Sequence, residues 1–155
     1  MTQPETETPS DSGFGGWLLV FAFFLWALFG REAVALLRIA QYFAQGQAML
    51  GATPYSVVDV GRLAINGAFV GLLVVTIVLM HLRRAAFLRW GRIAMLALIA
   101  VPVLEYLWLA LTPLPGVMQD LFKTFAVVML LHLAIGGAWL GYLSRSKRVA
   151  ATFVL

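Results

Sequence analysis

Two ionisable side chains, Glu105 and His132, lie inside long apolar stretches of the sequence. An unpaired carboxylate inside a bilayer costs several kcal/mol, so we expect the Glu105 side chain to be either protonated or paired. Counted from the ends of their apolar stretches, both residues lie roughly 12 Å below the same membrane boundary. The pattern predicts a hydrogen bond between them, as a structural tie between two helices. A proton relay, a ligand contact or no contact at all are the alternatives.

Motifs for other chemistry are absent from the sequence. It contains no phosphate-binding loop, no nucleophile-elbow serine and no H-E-x-x-H pair. There is no cysteine, and the two histidines lie at opposite depths, so they cannot form a metal site by themselves. The sequence therefore predicts a protein that is not an enzyme and that holds neither a metal nor another cofactor.

A polar stripe opens the second apolar stretch, where Asp59, Arg62 and Asn66 follow one another at i, i+3 and i+7. A permeation pathway needs several polar residues along one face of its helices. Asn66, Glu105 and His132 are too few to predict such a pathway in a single chain.

The elements that carry these residues are membrane-spanning helices. Hydrophobic residues make up 62% of the chain and charged residues 12%, against about 45–50% and about 25% in globular proteins. The sequence predicts an all-α integral membrane protein, a bundle of four transmembrane helices at residues 13–30, 63–80, 93–111 and 125–143. Residues 1–12 are polar and are expected to be a disordered tail, and residues 144–155 form a basic C-terminal tail.

Between the first two spans, residues Arg31 to Gln45 show a helical pattern of alternating apolar and polar faces. One interpretation is an additional amphipathic helix in the first, outer loop, with Leu36, Leu37 and Phe43 buried. The other is that these residues simply continue the first helix out of the membrane. The pattern fits both equally well.

Basic residues are distributed unequally between the two ends of the spans. The end with both termini has seven of the eleven Lys and Arg residues, which indicates that both termini are cytoplasmic. The basic cluster of the tail is expected to anchor the chain to anionic lipid headgroups rather than to nucleic acid. The apolar residues after it are too few to span again and are expected along the interface. The cluster consists of Arg145, Lys147 and Arg148.

Two pairs of glycines have the spacing that allows helices to approach closely in lipid. Gly67 and Gly71 belong to the second span, and Gly137 and Gly141 to the fourth. We expect these faces to pack within the bundle, with homodimerisation as the alternative.

Two short stretches resemble a known family, DUF2569, whose members are small bacterial membrane proteins of unknown function. The first is Gly15-Gly16-Trp17 at the start of the first span. The second is the terminal pattern from Tyr142 to Val154, with a serine-basic cluster, Arg148-Val149 and Thr152-Phe153-Val154. The resemblance implies a bacterial inner-membrane protein and brings no activity, cofactor or site residue with it.

Two main function classes follow from these observations, and an enzyme or lipid-modifying protein is the third alternative. The first is an accessory or interaction protein of the inner membrane without catalysis, bound to the lipid bilayer and to another membrane protein or to a second copy. The second is a protein that, as an oligomer, lets small molecules or ions permeate the membrane.

Overall fold

The computed structural model describes residues 16–50, 54–112, 118–146, 149, 152 and 153. The predicted N-terminal tail, residues 1–12, lies outside the described residues, and so do Lys147 and Arg148. The described chain forms four helices and contains no strand. They are α1 (Trp17–Leu50), α2 (Pro54–His81), α3 (Ala86–Leu111) and α4 (Met118–Arg145).

Each helix contains a stretch long and apolar enough to cross a membrane, and the four stretches run over 17–46, 57–81, 86–111 and 123–145. Many of the exposed side chains on the outside of the bundle are large and apolar, as expected of a surface that faces lipid. The prediction of an all-α, four-helix, multi-pass membrane protein is thus confirmed. Helices α2 and α3 begin earlier than the predicted spans and include polar residues before them, such as Arg62, the ninth residue of α2, and Arg89, the fourth residue of α3.

The region between the first two spans is not a separate amphipathic helix. Residues 31 to 45 continue α1, and no proline interrupts them. Leu37, which the pattern predicted to be buried, is 63% exposed, whereas Ile39 is 9% exposed. At about 1.5 Å per residue, the 34 residues of α1 extend well beyond the roughly 30 Å of a hydrocarbon core. The second of the two interpretations is the correct one.

A tight turn connects α2 to α3. Arg83 has a positive φ of 50° and ends α2. Its N–H donates to the Met80 carbonyl, and the Arg84 N–H donates to the Leu79 carbonyl, which is the Schellman pattern that closes a helix. This turn makes α2 and α3 antiparallel neighbours.

The helices pack in chain order, and one large apolar cluster holds them together. The end of the bundle with Trp17, His81, Ala86 and Arg145 is called the tail side below, and the opposite end the loop side. On α3 the cluster extends from Phe87 to Leu98, so it fills the tail-side half. Its members are Leu18, Phe21, Leu25, Leu28, Phe69, Leu73, Ile77, Met80, Phe87, Ala94, Met95, Leu98, Leu143, Val149 and Phe153.

The C-terminal tail takes part in this cluster, contrary to the expectation that its apolar residues lie along the interface. Val149 and Phe153 are fully buried, and the ring centroid of Phe153 lies 4.3 Å from that of Phe87. The Val149 N–H donates to the hydroxyl of Ser146, the residue that follows α4. Burial against an aromatic core explains why valine and phenylalanine follow a basic cluster at the end of this chain.

The predicted glycine pairs do not form the close helix contacts. A Cβ atom added to Gly67, Gly71, Gly137 or Gly141 would meet nothing within 4 Å. The close approaches are made by other glycines: Gly61 lies under the ring of Trp108, Gly91 lies against Leu143, and Gly136 lies against Ile99 and Met95. The prediction of packing within the bundle is therefore wrong for these two pairs.

Candidate functional site

Polar side chains gather in the loop-side half of the bundle, where the apolar cluster ends. On α3, Glu105 lies seven residues beyond Leu98, or about 10 Å along the helix. Side chains from all four helices contribute to this set, which is called the polar layer below. It consists of Arg31, Glu32, Arg62, Asn66, Glu105 and His132.

Glu105 connects α3 to α2. The buried Asn66 side chain donates to Glu105 Oε1 over 2.6 Å and to the Arg62 carbonyl over 2.9 Å. Arg62 Nε lies 3.6 Å from the same Glu105 oxygen, which is close enough for an ion pair but too long for a hydrogen bond. The Arg62 Nε atom is buried and has no hydrogen-bond partner among the described residues. A carboxylate, an amide and a guanidinium thus offset one another's charge and polarity between two helices.

His132 connects α4 to α1. Its Nδ1 lies 2.8 Å from the Val128 carbonyl, and its Nε2 lies 3.2 Å from Arg31 Nη2. Because a carbonyl only accepts, Nδ1 carries the proton, and Nε2 is then free to accept from the arginine. The Arg31 guanidinium also donates to Glu32, with its Nε 2.9 Å from Oε1. Glu32 is only 7% exposed, so the guanidinium compensates a buried carboxylate.

The predicted hydrogen bond between Glu105 and His132 is not formed, and each side chain has the partners just described. The register of α3 against α4 gives the reason. Tyr106 contacts Phe125, and Gly136 lies against Ile99 and Met95, so His132 is level with a residue about one turn before Glu105. Counting from apolar boundaries placed the two residues at one depth, and an error of one helical turn was enough to separate them.

A groove of about 680 Å³ lies between α1 and α2 beside the polar layer. Three arginines and a tyrosine line it, together with small and apolar residues of α1. It is called the arginine groove below and is lined by Gly30, Arg31, Val34, Ala35, Arg38, Ile39, Tyr42 and Arg62.

The headgroup anchor predicted at Arg145, Lys147 and Arg148 stays a prediction, since Lys147 and Arg148 lie outside the described residues. Arg145 is exposed at the end of α4. Within the described parts of the chain, no three histidine or acidic side chains come together as metal ligands. The absence of a metal, of a cofactor and of catalysis stays a prediction.

Sequence reasoning identified part of the polar layer. The stripe formed by Arg62 and Asn66 was visible from its helical spacing, and Glu105 and His132 from their apolar surroundings. Arg31 and Glu32 were not predicted as site residues, because both lie at the start of the stretch with two interpretations, just beyond the first predicted span. The signal that could have included them was the continued helical pattern from Arg31 to Gln45.

A family model matches residues 11–154 of the chain, and its description is "Protein of unknown function (DUF2569)". Neither a curated protein nor a solved structure matches the chain. The matched region includes all four helices, the polar layer and the buried tail residues Val149 and Phe153. The chain therefore belongs to the DUF2569 family.

Proposed function

We propose that this protein is a non-catalytic accessory protein of the bacterial inner membrane. The observation that carries the proposal is the closed tail-side half of the bundle. Phe21, Leu73, Met80, Phe87 and Met95 are each fully buried there, and Phe153 covers Phe87 from the end. A close-packed apolar layer of this kind holds no room for water or ions.

The polar layer agrees with a supporting role. Glu105 accepts a hydrogen bond from Asn66 of α2, and Arg31, which also donates to Glu32 on its own helix, contacts His132 of α4. Such contacts hold the loop-side half in one arrangement and keep its outer surface constant for a partner.

A second candidate function is permeation by an oligomer. The observation that favours it is the presence of exposed guanidiniums within a span, since the Arg31 side chain is 59% exposed. Intramembrane charges often mark an ion or substrate pathway. A pathway between copies would avoid the closed core.

Flux through proteoliposomes separates the two functions. Vesicles loaded with potassium chloride and reconstituted at high protein density are expected to leak ions and protons no faster than protein-free vesicles. Gramicidin added afterwards should collapse the gradient and so validates the assay. In a separate experiment, purification of the protein in mild detergent is expected to yield a second membrane protein with it, which is the positive result expected of an accessory protein. Flux that rises with protein density and falls in Glu105→Gln would favour permeation.

Orientation belongs to the same proposal, with both termini cytoplasmic. The tail side carries Arg83, Arg84, Arg89, Arg92 and Arg145, whereas Arg31 and Arg62 of the other group line the groove between α1 and α2. The exposed Arg145 and the tail bases would then contact anionic headgroups of the cytoplasmic leaflet.

Reporter fusions test this orientation. A fusion after Tyr142 and another within residues 85–88 are expected to report a cytoplasmic location, and one near Thr53 a periplasmic location. A periplasmic signal from the fusion after Tyr142 would contradict the proposed orientation.

A further inference from the structure

The arginine groove contains more positive than negative charge. Arg31, Arg38 and Arg62 line it, and the carboxylates next to them are Glu32, paired with Arg31, and Glu105, 3.6 Å from Arg62. Arg38 has neither an ion pair nor a hydrogen bond with any residue the structure describes. Asp59 lies one helical turn from Arg62, does not line the groove and makes no ion pair within the described chain. One guanidinium therefore remains to be compensated.

The arginines that α1 contributes to the groove lie at different depths in the bilayer. Arg38 lies 21 residues beyond Trp17, or about 32 Å along α1, and Arg31 about 21 Å. With Trp17 at the tail-side interface, Arg38 reaches the headgroup level on the loop side. Arg31 then lies about 10 Å deeper, inside the hydrocarbon region, with its side chain 59% exposed. A charged side chain at that depth requires polar partners, and Arg31 has them in Glu32 and His132, so the guanidinium without a partner is that of Arg38 at the headgroup level.

The shape of the groove fits a lipid. It follows α1 from Gly30 to Tyr42, about 18 Å, and its chemistry changes along this length. Val34, Ala35 and Ile39 give it an apolar wall beside which an acyl chain can lie. Arg38, Tyr42 and Arg62 supply guanidinium and hydroxyl donors, and guanidinium forks match the oxygens of a phosphate group.

From the charge, the depth and the shape together, we propose that the arginine groove binds an anionic phospholipid of the loop-side leaflet. The lipid phosphate is held by Arg38 and Arg62, and one acyl chain lies along α1 toward Arg31. The bound phosphate supplies the negative charge that the described residues lack. The site is separate from Arg145, which lies at the opposite end of the bundle.

Thermal unfolding of the purified protein in mixed micelles tests the proposal, since a ligand that binds only the folded state raises the midpoint. Phosphatidylglycerol is expected to raise the midpoint of the wild type more than phosphatidylcholine at the same mole fraction. Arg38→Gln, which removes a side chain without a described partner, should lose at least half of the phosphatidylglycerol shift. Arg89→Gln is the matched control, because it removes an exposed arginine from the tail side.

Arg62→Gln provides a second variant. Its lipid shift is the difference between its unfolding midpoints with and without phosphatidylglycerol. Its shift should also be reduced, whatever its basal stability. Sodium phosphate in place of lipid shows which compound supplies the bound phosphate group. A midpoint shift with sodium phosphate that is lost in Arg38→Gln would support the anion site but assign it to free phosphate. An equal phosphatidylglycerol shift in wild type, Arg38→Gln and Arg89→Gln would overturn the proposal.

Discussion

Gly136→Ala is expected to destabilise the bundle by about 1–3 kcal/mol, the usual cost of overpacking a close contact. A Cβ atom at this position would lie 2.7 Å from Ile99 Cγ1 and 3.1 Å from the Met95 carbonyl oxygen. The carbonyl belongs to the backbone of α3 and cannot rotate away, so α3 and α4 must separate. Unfolding of the purified protein by denaturant in mixed micelles measures the loss.

Gly137→Ala is the matched control, one residue further along the same helix. An added Cβ atom meets nothing within 4 Å there, and alanine favours a helix over glycine by about 0.5–1 kcal/mol. We therefore expect an unchanged or slightly raised stability for Gly137→Ala. If Gly137→Ala were as destabilising as Gly136→Ala, the packing of α4 described above would be wrong. A change in oligomeric state confined to Gly137→Ala would instead indicate a contact between copies.

The glycines show what spacing alone can and cannot predict. Gly67-xxx-Gly71 and Gly137-xxx-Gly141 have the right spacing for a close contact, yet the contacts are made by Gly61, Gly91 and Gly136. Spacing defines a face of a helix but not its rotation about the axis. In lipid both faces of a helix can be apolar, so no pattern of polar residues reveals which one turns inward.

The number of helices followed from the sequence, and so did the opposite directions of consecutive helices. An apolar stretch of about 20 residues can form few structures other than a spanning helix in a membrane. The ends of the helices did not follow from the sequence. Arg89 and Arg92 lie before the predicted third span at residues 93–111 and yet belong to α3, since exposed arginines at a membrane interface fit a helix as well as a turn. The continuation of α1 past Arg31 was one of two equal interpretations for the same reason.

The partners in the polar layer required the structure. Intramembrane polar residues were correctly expected to be paired, since isolation is costly at that depth. Which residues pair depends on register, and a shift of one turn directs Glu105 toward Asn66 and His132 toward Arg31. The burial of Phe153 was likewise hidden, because a short apolar tail has no period that indicates what it packs against.

The polar layer predicts a large effect for Glu105→Ala. The substitution leaves one N–H of the buried Asn66 amide without an acceptor, while the other still donates to the Arg62 carbonyl, and a buried unsatisfied polar group costs about 1–3 kcal/mol. Arg62 also loses its ion-pair partner, although a side chain 40% exposed is partly compensated by its surroundings. Glu105→Gln keeps an acceptor oxygen for Asn66 and should cost less than Glu105→Ala. Equal losses for the two variants would indicate that no hydrogen bond is involved.

The central claim is that Glu105 is held by α2 and His132 by α1, and two double-mutant cycles on unfolding in detergent measure it. Glu105→Ala combined with Asn66→Ala is expected to show a coupling energy of about 0.6–2 kcal/mol, the range for hydrogen bonds between membrane helices. Glu105→Ala combined with His132→Ala is expected to be additive within about 0.3–0.5 kcal/mol. A coupling between Glu105 and His132 that exceeds the one between Glu105 and Asn66 would contradict the arrangement of the polar layer.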